Sequence, residues 1–463
     1  MTLIKSISGI RGTIGGNVGD NLTPVDIVRF VSAFASMMQQ KHGKKDIRFV
    51  LGRDARVSGE MVNHLVVGSL MGMGVSVIDG GLSTTPTVEM AVTEWNADGG
   101  IILTASHNPA PWNALKLLNE KGEFIDDKEG KEVLRLADNE DFDYAEYAHL
   151  GTYSKVGNFI EKHIEKILEL PLVDVEAIRN AHFSVGLDAV NSTGGIAIAP
   201  LLEALGIEKF ECLYCEPNGL FPHNPEPVPE NLTDISKMIR DKSLDIGFVV
   251  DPDVDRLAII MENGEMFGEE YTLVAVADYI LQNTKGNTVS NMSSTRALKD
   301  ITGKYGASYQ ASAVGEVNVV KLMRETKAII GGEGNGGVIY PELHAGRDAL
   351  VGIALILSYL AKRKIKVSSL RAELPEYVIS KNKIQLNPAM NVDQILTNIR
   401  ADFSGYPVST IDGVKIEFET GWVHLRKSNT EPIIRIYAEG RDENEANTFA
   451  AMVIDKIERM MLN

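Results

Sequence analysis

Two patterns of apolar residues alternate along the chain. Short runs of consecutive apolar residues are followed by longer stretches in which apolar residues recur every three or four positions. The short runs are typical of buried strands, and the longer stretches are typical of amphipathic helices. One such helix is predicted to begin at Pro24 and to end near Gly43. Its buried face is predicted to consist of Ile27, Phe30, Val31 and Phe34.

The alternation of strand and helix predicts α/β domains, and its rhythm changes along the chain. It restarts near residue 156 and near residue 263, and beyond residue 372 alternating strands lead to a helix from Glu443. A chain of 463 residues is also too long to fold around one core. We therefore predict three similar mixed-sheet α/β domains and a C-terminal α+β domain, with boundaries at 1–155, 156–262, 263–371 and 372–463.

The composition is that of an ordinary globular protein, with 44% hydrophobic and 24% charged residues. The formal net charge of −17 argues against nucleic acid or an anionic membrane as the main partner. The apolar stretch at 349–361 is too short to cross a bilayer and predicts a buried helix. Because the first residues do not form a secretory signal and the lone pair Cys212 and Cys215 predicts no zinc site, we expect a cytoplasmic protein.

A polar turn follows the buried strand predicted at 101–103. This turn, TASHNP at 104–109, places a hydroxyl, an imidazole and a carboxamide at a strand end, where open α/β sheets hold ligands. Lys116 lies ten residues beyond Ser106 and adds a cation. Taken alone, such a serine is more typical of a turn or a helix cap, and the adjacent His107 does not make a catalytic triad.

The segment DPDVDR at 251–256 is the strongest chemical signal in the sequence. Its carboxylates alternate, so Asp251, Asp253 and Asp255 project to one side of an extended segment. Three like charges this close repel one another, and a hard cation with oxygen ligands relieves the repulsion. An EF-hand is excluded because Arg256 replaces its invariant glycine and residues 257–261 read as a strand. The segment therefore predicts a Mg²⁺ site that keeps positions for water or phosphate oxygen.

The glycine-rich loop GGEGNGG at 331–337 contains the G-x-G-x-x-G pattern of dinucleotide sites. A strand broken by proline follows it, so a pyrophosphate would have no helix N-terminus to bind. The loop instead presents Glu333 and Asn335, which suit the recognition of a polyhydroxyl ligand.

The loop RKSNTEP at 426–432 suits an anion. A guanidinium that donates two parallel hydrogen bonds, two hydroxyls and an amide lie within five consecutive residues. The candidate binding residues are Arg426, Ser428, Asn429 and Thr430, with Arg435 nearby. Basic residues are thus concentrated in the loops of an otherwise acidic protein.

The four motifs TASHNP, DPDVDR, GEGNGG and RKSNTEP occur in the order and spacing of the α-D-phosphohexomutase family, over essentially the whole chain. The chain therefore resembles this family, and the resemblance implies three α/β domains and a fourth α+β domain around a central cleft. It implies a magnesium-dependent isomerase that interconverts hexose 6-phosphate and hexose 1-phosphate. The reaction would pass through a phosphoserine and a bisphosphorylated intermediate, with hexose 1,6-bisphosphate as activator.

The resemblance also implies a role for each motif. Ser106 would carry the phosphoryl group, and its phosphate would hold Mg²⁺ together with Asp251, Asp253 and Asp255. Arg11, His107, Lys116 and Arg256 would surround the transferring group, with either His107 or Lys116 moving the proton. Glu333 and Asn335 would bind sugar hydroxyls. The distal phosphate would be bound by Arg426, Ser428, Asn429 and Thr430.

Two departures from the family pattern bear on the substrate. The loop Asn335-Gly336-Gly337 lacks the histidine of many relatives, and we expect His344 to supply an imidazole instead. Ala114 stands where relatives usually have glycine, so the backbone around Lys116 is expected to differ slightly. The form GEGNGG resembles archaeal-type phosphoglucosamine mutases, which predicts glucosamine phosphate as substrate.

Other readings of the same residues remain open. Because the segment SNTEP is shared with phosphoglucomutase/phosphomannomutase types, glucose or mannose phosphate is the alternative substrate. From other classes, a Mg²⁺-dependent sugar phosphatase and an inactive sugar-phosphate sensor are less favoured. The expected partner is a small phosphosugar, without nucleic acid or membrane, and the protein would be a monomer or a homodimer.

Overall fold

The structure is a computed structural model that describes residues 2–6, 9–385, 391–427 and 433–462. The chain folds into two compact units. Unit 1 comprises Met1–Thr272 and Asn335–Arg371, and unit 2 comprises Leu273–Gly334 and Ala372–Asn463. Among the described residues, no helix is both long and apolar enough to span a bilayer.

The first sheet of unit 1 has seven strands in the order β1-β2-β6-β5-β3-β4-β7. The strands are β1 (Ile4–Ser6), β2 (Gly9–Thr13), β3 (Arg48–Arg53), β4 (Ser76–Leu82), β5 (Gly99–Leu103), β6 (Trp112–Leu118) and β7 (Tyr153–Lys155). The strands β5, β3, β4 and β7 are parallel to one another, whereas β6, β2 and β1 continue the sheet beyond β5 with antiparallel pairs. The sheet is therefore mixed, and β5 delivers the TASHNP turn at its carboxyl end.

Four helices accompany this sheet: α1 (Pro24–His42), α2 (Gly59–Gly72), α3 (Thr85–Glu94) and α4 (Asp127–Asn139). The predicted start and end of α1 are confirmed, because Thr23 and Asp26 form a capping box and Gly43 adopts a left-handed conformation. The predicted buried face is also confirmed, since Ile27, Phe30, Val31 and Phe34 are each at most 1% exposed.

The second sheet of unit 1 has four strands in the order β11-β10-β8-β9. The strands are β8 (Ser184–Asp188), β9 (Lys209–Leu213), β10 (Ile246–Val250) and β11 (Leu257–Met261), and the helices are α5 (Phe159–Leu168), α6 (Val175–Ala181), α7 (Gly194–Ala204) and α8 (Thr233–Lys242). Strand β10 pairs antiparallel with β11, and the segment DPDVDR connects them. The predicted strand after this segment is confirmed, which removes the basis for an EF-hand.

Unit 2 contains a parallel sheet in which β12 lies between β13 and β14. Its strands are β12 (Asn287–Asn291), β13 (Tyr309–Ser312) and β14 (Ala328–Glu333), and its helices are α10 (Ala297–Lys304) and α11 (Glu316–Thr326). Helix α9 (Glu269–Asn283) precedes β12. Along the chain, β14 is followed by strand β15 (Gly337–Ile339) and helix α12 (Ala349–Arg363), which belong to unit 1, and then by helix α13 (Val367–Glu373). A strand and not a helix thus follows the glycine-rich loop, and the predicted buried helix at 349–361 is confirmed.

The C-terminal part of unit 2 is an antiparallel sheet of five strands in the order β16-β20-β19-β18-β17. Its strands are β16 (Val378–Gln385), β17 (Val408–Ser409), β18 (Val414–Glu417), β19 (Trp422–Lys427) and β20 (Ile433–Gly440), with helices α14 (Val392–Asp402) and α15 (Glu443–Leu462). Apolar residues of α14, α15 and the sheet share one core. This is the α+β fold predicted for the end of the chain.

Candidate active site

Ser106 lies in a constrained turn directly after β5. Its φ of 48° is in the left-handed region, which non-glycine residues rarely adopt. The Thr104 hydroxyl accepts a hydrogen bond from the Ser106 amide at 2.9 Å and donates one to Asp54 Oδ2 at 2.6 Å. The turn therefore holds the serine side chain in one direction.

Arg56 holds the same turn from beneath, and its guanidinium is completely buried. It donates hydrogen bonds to four backbone carbonyls of the loop and pairs with Asp54 at 3.0 Å. The four carbonyl oxygens are those of Ser106 at 2.5 Å, Asn108 at 2.7 Å, Pro109 at 2.8 Å and Trp112 at 2.9 Å. The planar guanidinium matches this set of acceptors, so Arg56 fixes the path of the serine loop.

The three aspartates of DPDVDR gather beside Ser106, all with 0% exposure; Asp251, Asp253 and Asp255 are called the carboxylate cluster below. Ser106 Oγ donates a hydrogen bond to Asp251 Oδ2 at 2.6 Å. Asp251 Oδ1 accepts the backbone amides of Asp255 and Arg256, each at 3.2 Å, which closes the loop around its own carboxylate. The predicted convergence of serine and aspartates is present in the geometry.

Cations compensate part of this buried negative charge. Lys116 Nζ lies 2.7 Å from Asp253 Oδ2 and 3.4 Å from Asp255 Oδ2, and Arg347 Nη2 donates to Asp255 Oδ2 at 2.7 Å. Burial alone would lower the pKa of Lys116, but the attraction of the aspartates raises it above its usual value. The pKa of Asp253 falls because Lys116 outweighs the effect of burial. The pKa of Asp251 is raised by burial and by its two neighbouring carboxylates.

Two oxygens of the carboxylate cluster lack a hydrogen-bond donor. Asp253 Oδ1 and Asp255 Oδ1 are buried and have no hydrogen-bond partner in the described part of the chain. A buried carboxylate oxygen without a partner is costly, and hard oxygen donors are the ligands that Mg²⁺ prefers. The carboxylate cluster therefore fits a bound Mg²⁺.

The guanidinium groups of Arg11, Arg256 and Arg347 are close enough for their positive charges to affect the pKa of Arg11. The pKa of Arg11 is lowered by burial and by the positive charges of Arg256 and Arg347. The pKa of His107 is lowered mainly by burial and then by Arg256. Its Nδ1 lies 3.4 Å from Ser106 Oγ. Such a concentration of positive charge in an acidic protein suits a phosphate group.

Two hydrogen bonds donated by backbone amides fix the loop after β14. Asn335 Oδ1 accepts the Gly337 amide at 3.2 Å, and the Gly336 carbonyl accepts the Leu257 amide at 3.1 Å. Gly336 has a φ of 85°, and a Cβ there would lie 2.4 Å from the Leu257 oxygen. The glycine is thus required for the loop to lie against the first residue of β11.

Ala114 lies opposite Arg11 in the pairing of β2 with β6 and is 4% exposed. Its methyl group occurs within a regular strand, β6, which also carries Lys116.

Glu333, at the end of β14 in unit 2, is 4% exposed. Its Oε1 accepts hydrogen bonds from Asn291 Nδ2 at 2.8 Å and from the Gly315 amide at 3.0 Å. Gly334 in turn donates its amide to Ser294 Oγ at 2.9 Å. The carboxylate predicted to bind sugar hydroxyls is therefore also an anchor of the loop within unit 2.

The antiparallel sheet of unit 2 carries a row of basic residues. Arg426 on β19 is directly opposite Arg435 on β20, and Arg435 is directly opposite Lys383 on β16. Arg426 Nε lies 2.8 Å from Asp412 Oδ2. Like charges directly opposite each other in a sheet repel, and an anion would relieve this repulsion. The predicted partners Ser428, Asn429 and Thr430 lie outside the described residues.

His344 has neighbours that the sequence did not indicate. Its Nε2 lies 3.3 Å from Asp348 Oδ2, its Nδ1 lies 3.4 Å from Glu89 Oε2, and its side chain is 11% exposed. Both ring nitrogens thus face carboxylates. This geometry does not favour the predicted sugar contact, which stays a prediction.

Sequence reasoning missed Arg56 and Arg347. Arg56 follows β3 in the segment GRDAR, where alternating charges after a buried strand were an available signal. Arg347 lies in the segment HAGRD beyond β15, and nothing in its local sequence distinguishes it from an exposed arginine. Only the fold brings its guanidinium to Asp255.

Comparison with known proteins identifies the class. The four domains described for the phosphoglucomutase/phosphomannomutase family match residues 3–144, 161–264, 268–377 and 378–456. The chain belongs to this family, which confirms the resemblance that the four motifs indicated. It is therefore a phosphohexomutase, an isomerase that transfers a phosphoryl group within a phosphosugar.

Individual relatives cover nearly the whole chain. A phosphoglucomutase/phosphomannomutase of Thermococcus kodakarensis is 36% identical over 97% of this chain and 98% of its own length. A phosphoglucosamine/phosphogalactosamine mutase of Sulfurisphaera tokodaii is 32% identical over 95% of both chains. Among solved structures, a phosphoglucomutase/phosphomannomutase family protein of Burkholderia thailandensis has a TM-score of 0.84 and 26% identity, covering 99% of this chain and 97% of its own.

Proposed function

We propose that this phosphohexomutase interconverts glucosamine 6-phosphate and glucosamine 1-phosphate. The form of the loop Asn335-Gly336-Gly337, which lacks an imidazole, supports this choice. The Sulfurisphaera relative, whose name includes phosphoglucosamine, supports it as well. The Thermococcus relative keeps glucose and mannose phosphates as the alternative substrates.

The observation that carries the mechanism is Ser106 Oγ at 2.6 Å from Asp251, beside two buried carboxylate oxygens that have no hydrogen-bond donor among the described residues. In the proposed reaction, the bond between phosphorus and Ser106 Oγ breaks while phosphorus bonds to a sugar oxygen. His107 or Lys116 would move the proton: neutral His107 would accept it from that sugar hydroxyl, whereas Lys116, a cation, would instead give a proton to the departing Ser106 Oγ. The bisphosphorylated sugar then presents its other phosphate, which returns to Ser106 and releases the isomer.

Asp251, Asp253 and Asp255, together with the phosphate on Ser106, would hold Mg²⁺. When bound, Mg²⁺ supplies electrostatic stabilisation of charge on the transferring phosphoryl group. Lys116 and Arg347 hold the carboxylates in place through Asp253 and Asp255. Arg11, His107 and Arg256 would bind the phosphoryl oxygens.

The other candidate residues would bind the rest of the substrate. Arg426 and Arg435, which oppose each other across β19 and β20, would bind the distal phosphate with Ser428, Asn429 and Thr430. Glu333 and Asn335 would bind sugar hydroxyls. The four sequence segments 1–155, 156–262, 263–371 and 372–463 would act as four domains, in a cytoplasmic monomer or homodimer.

Phosphorus NMR tests the reaction and the sugar together. The purified protein is incubated with Mg²⁺, a trace of hexose 1,6-bisphosphate and, in parallel, the 6-phosphates of glucosamine, glucose, mannose and N-acetylglucosamine. We expect a 1-phosphate resonance that grows fastest with glucosamine and is absent in Ser106→Ala.

Each other result contradicts a named part of the proposal. Faster conversion of glucose or mannose phosphate overturns the choice of sugar. Release of inorganic phosphate alone indicates a phosphatase. No reaction with any sugar indicates a sensor. Omitting the bisphosphate tests its role, since the unphosphorylated protein should then show a lag.

A further inference from the structure

A second buried group of ionisable side chains lies in unit 1, apart from the carboxylate cluster. Its members come from three segments: Glu89 on α3, His163 on α5, and His344 and Asp348 before α12. They are called the histidine cluster below. The proposed reaction uses none of them at the phosphoryl group.

The ligand-type atoms of the histidine cluster converge on one oxygen. His163 Nε2 lies 2.9 Å and His344 Nε2 lies 3.3 Å from Asp348 Oδ2. The two rings are nearly perpendicular, with centroids 6.1 Å apart. The ligand atoms around a tetrahedral Zn²⁺ are about 3.3 Å from one another. The three ligand atoms here all lie within 4.8 Å of one another.

The opposite edge of each imidazole is held as metal-binding histidines are held. His344 Nδ1 faces Glu89 Oε2 at 3.4 Å, and His163 Nδ1 contacts Thr87 Oγ1 at 2.9 Å. A carboxylate on the second ring nitrogen, as at His344, favours the tautomer that leaves Nε2 free to bind a metal, whereas the Thr87 hydroxyl can either donate to or accept from His163 Nδ1. Asp348 is prepared as well, because its Oδ1 caps α12 and leaves Oδ2 for the two histidines.

Glu89 adds a second buried carboxylate to this group. Glu89 is 2% exposed, and neither of its carboxylate oxygens makes a hydrogen bond within the described part of the chain. The histidine cluster therefore contains two buried carboxylates and two imidazoles. His344 is the imidazole that faces both carboxylates.

Access to the histidine cluster is also present. A cavity of about 300 Å³ is lined by Glu89, His163 and His344 and reaches the half-buried Lys162 and the exposed Lys166. The cavity provides both an entry path for an ion and room for a water ligand on it. An open coordination position beside two imidazoles and a carboxylate is typical of Zn²⁺ and other first-row divalent ions.

We propose that His163, His344 and Asp348 form a second metal site for Zn²⁺ or a similar first-row divalent ion, with Glu89 orienting His344. A bound ion would connect α5 to the segment before α12. Arg347, which pairs with Asp255, belongs to that segment, so the ion would also steady one neighbour of the carboxylate cluster.

Metal titration tests the proposal without relying on activity. Chelator-treated protein with Cys212 and Cys215 both changed to serine is saturated with Mg²⁺ to fill the carboxylate cluster, then titrated with Co²⁺ and Zn²⁺. We expect one equivalent to bind, with the visible absorption of Co²⁺ bound by nitrogen in a low-coordinate site. His163→Gln and His344→Gln should each weaken binding at least about 100-fold, and Glu89→Gln about 10- to 100-fold.

The matched control is His64→Gln, because His64 is exposed on α2. Equal binding by His64→Gln, His163→Gln and His344→Gln would overturn the proposal, as would the absence of a Co²⁺ site in the parent protein. X-ray absorption of the zinc-loaded parent protein covers the case of a variant that does not fold. Two imidazoles in the first shell support the site, and a shell of oxygen alone excludes it.

Discussion

Unit 1 contains two clusters in which buried carboxylates lie beside basic side chains. The two clusters differ in the identity of those basic side chains. The carboxylate cluster has three carboxylates, with Lys116 and Arg347 as cations. The histidine cluster has two carboxylates, with two imidazoles in place of those cations. Each leaves buried carboxylate oxygens without a hydrogen-bond donor in the described part of the chain.

The difference in donors separates their roles. Oxygen donors next to a serine hydroxyl suit a hard ion that exchanges water for phosphate oxygen. Nitrogen donors held by outer hydrogen bonds suit a borderline ion that stays in place. The clusters are joined by one dipeptide, since Arg347 contacts Asp255 and Asp348 contacts His163. The comparison suggests a site for chemistry and a site that supports it.

Ser106→Ala is the substitution with the largest expected effect, and it separates the roles of the two clusters. Removing the hydroxyl removes the only atom proposed to carry the phosphoryl group, so turnover should fall at least about 10⁴-fold. One equivalent of Zn²⁺ should still bind at the histidine cluster. Turnover is measured by formation of the 1-phosphate, with Ser154→Ala on β7 as a control that should keep parental activity. Appreciable turnover by Ser106→Ala would contradict the assignment of the carrier.

Arg56→Lys tests how far the serine loop depends on one guanidinium. A lysine cannot satisfy four carbonyls and Asp54 together, so buried acceptors are left without donors and unit 1 should lose about 3 kcal/mol of stability. Urea unfolding measures this loss. Arg53→Lys is the control, because Arg53 is half-buried and donates only to the Asp54 carbonyl at 3.2 Å among its described hydrogen bonds. Equal midpoints for the two variants would show that the loop holds itself.

The sequence predicted the carboxylate cluster and could not predict the histidine cluster. Asp251, Asp253 and Asp255 lie within five residues, so their closeness in sequence predicts the cluster, although the segment forms a turn closed around Asp251 and not the extended strand that was predicted. Glu89, His163 and His344 are separated by 74 and then 181 positions, and only the packing of α3, α5 and the segment before α12 brings them together. The alternation of strands and helices likewise predicted α1 and α12, because periodicity is local.

Contacts between residues that are distant in the sequence explain why the positions of His344 and Arg56 were not predicted. His344 was expected near the sugar because it follows the glycine-rich loop by seven residues, but the turn before α12 directs it to Glu89 and Asp348. Arg56 was overlooked because a buried arginine is rare and its four carbonyl acceptors lie at 106–112, about fifty residues away.

Glu439 in unit 2 is a buried carboxylate that belongs to neither cluster, so its pH dependence can be compared with that of the clusters. It accepts the Arg296 amide at 3.0 Å, and burial raises its pKa to about 7. The folded state then holds the proton more tightly than the unfolded chain. Its contribution to stability is full below about pH 4.5 and is lost as the pH rises to about 7, by about 3 kcal/mol in total.

Glu439→Gln should remove this pH dependence, because the amide is neutral and its oxygen can still accept from Arg296. The pH dependence is measured as the urea midpoint of unit 2 between pH 5 and pH 8. Unfolding is monitored by the fluorescence of Trp422, in proteins that also carry Trp95→Phe and Trp112→Phe. The parent protein should lose stability over this range relative to the variant. Parallel curves for both proteins would place the titration elsewhere.

His344→Gln is expected to have the smallest effect on the reaction, and for that reason it separates two readings of this residue. If the histidine cluster only supports the fold, KM for the sugar phosphate should stay within about twofold of the parent value, because the buried ring does not contact substrate. If His344 replaces the imidazole missing from the loop, KM should rise about tenfold or more, since a hydrogen bond to substrate is lost.

Steady-state kinetics at saturating Mg²⁺ measure both constants, with Asn335→Ala as the comparison variant from the loop itself. Asn335→Ala should raise KM, whereas His344→Gln should instead lower the thermal midpoint and weaken Zn²⁺ binding. A raised KM in His344→Gln with an unchanged midpoint would assign the residue to the sugar after all. The histidine cluster would then lose a ligand, and the contrast between the two clusters would no longer hold.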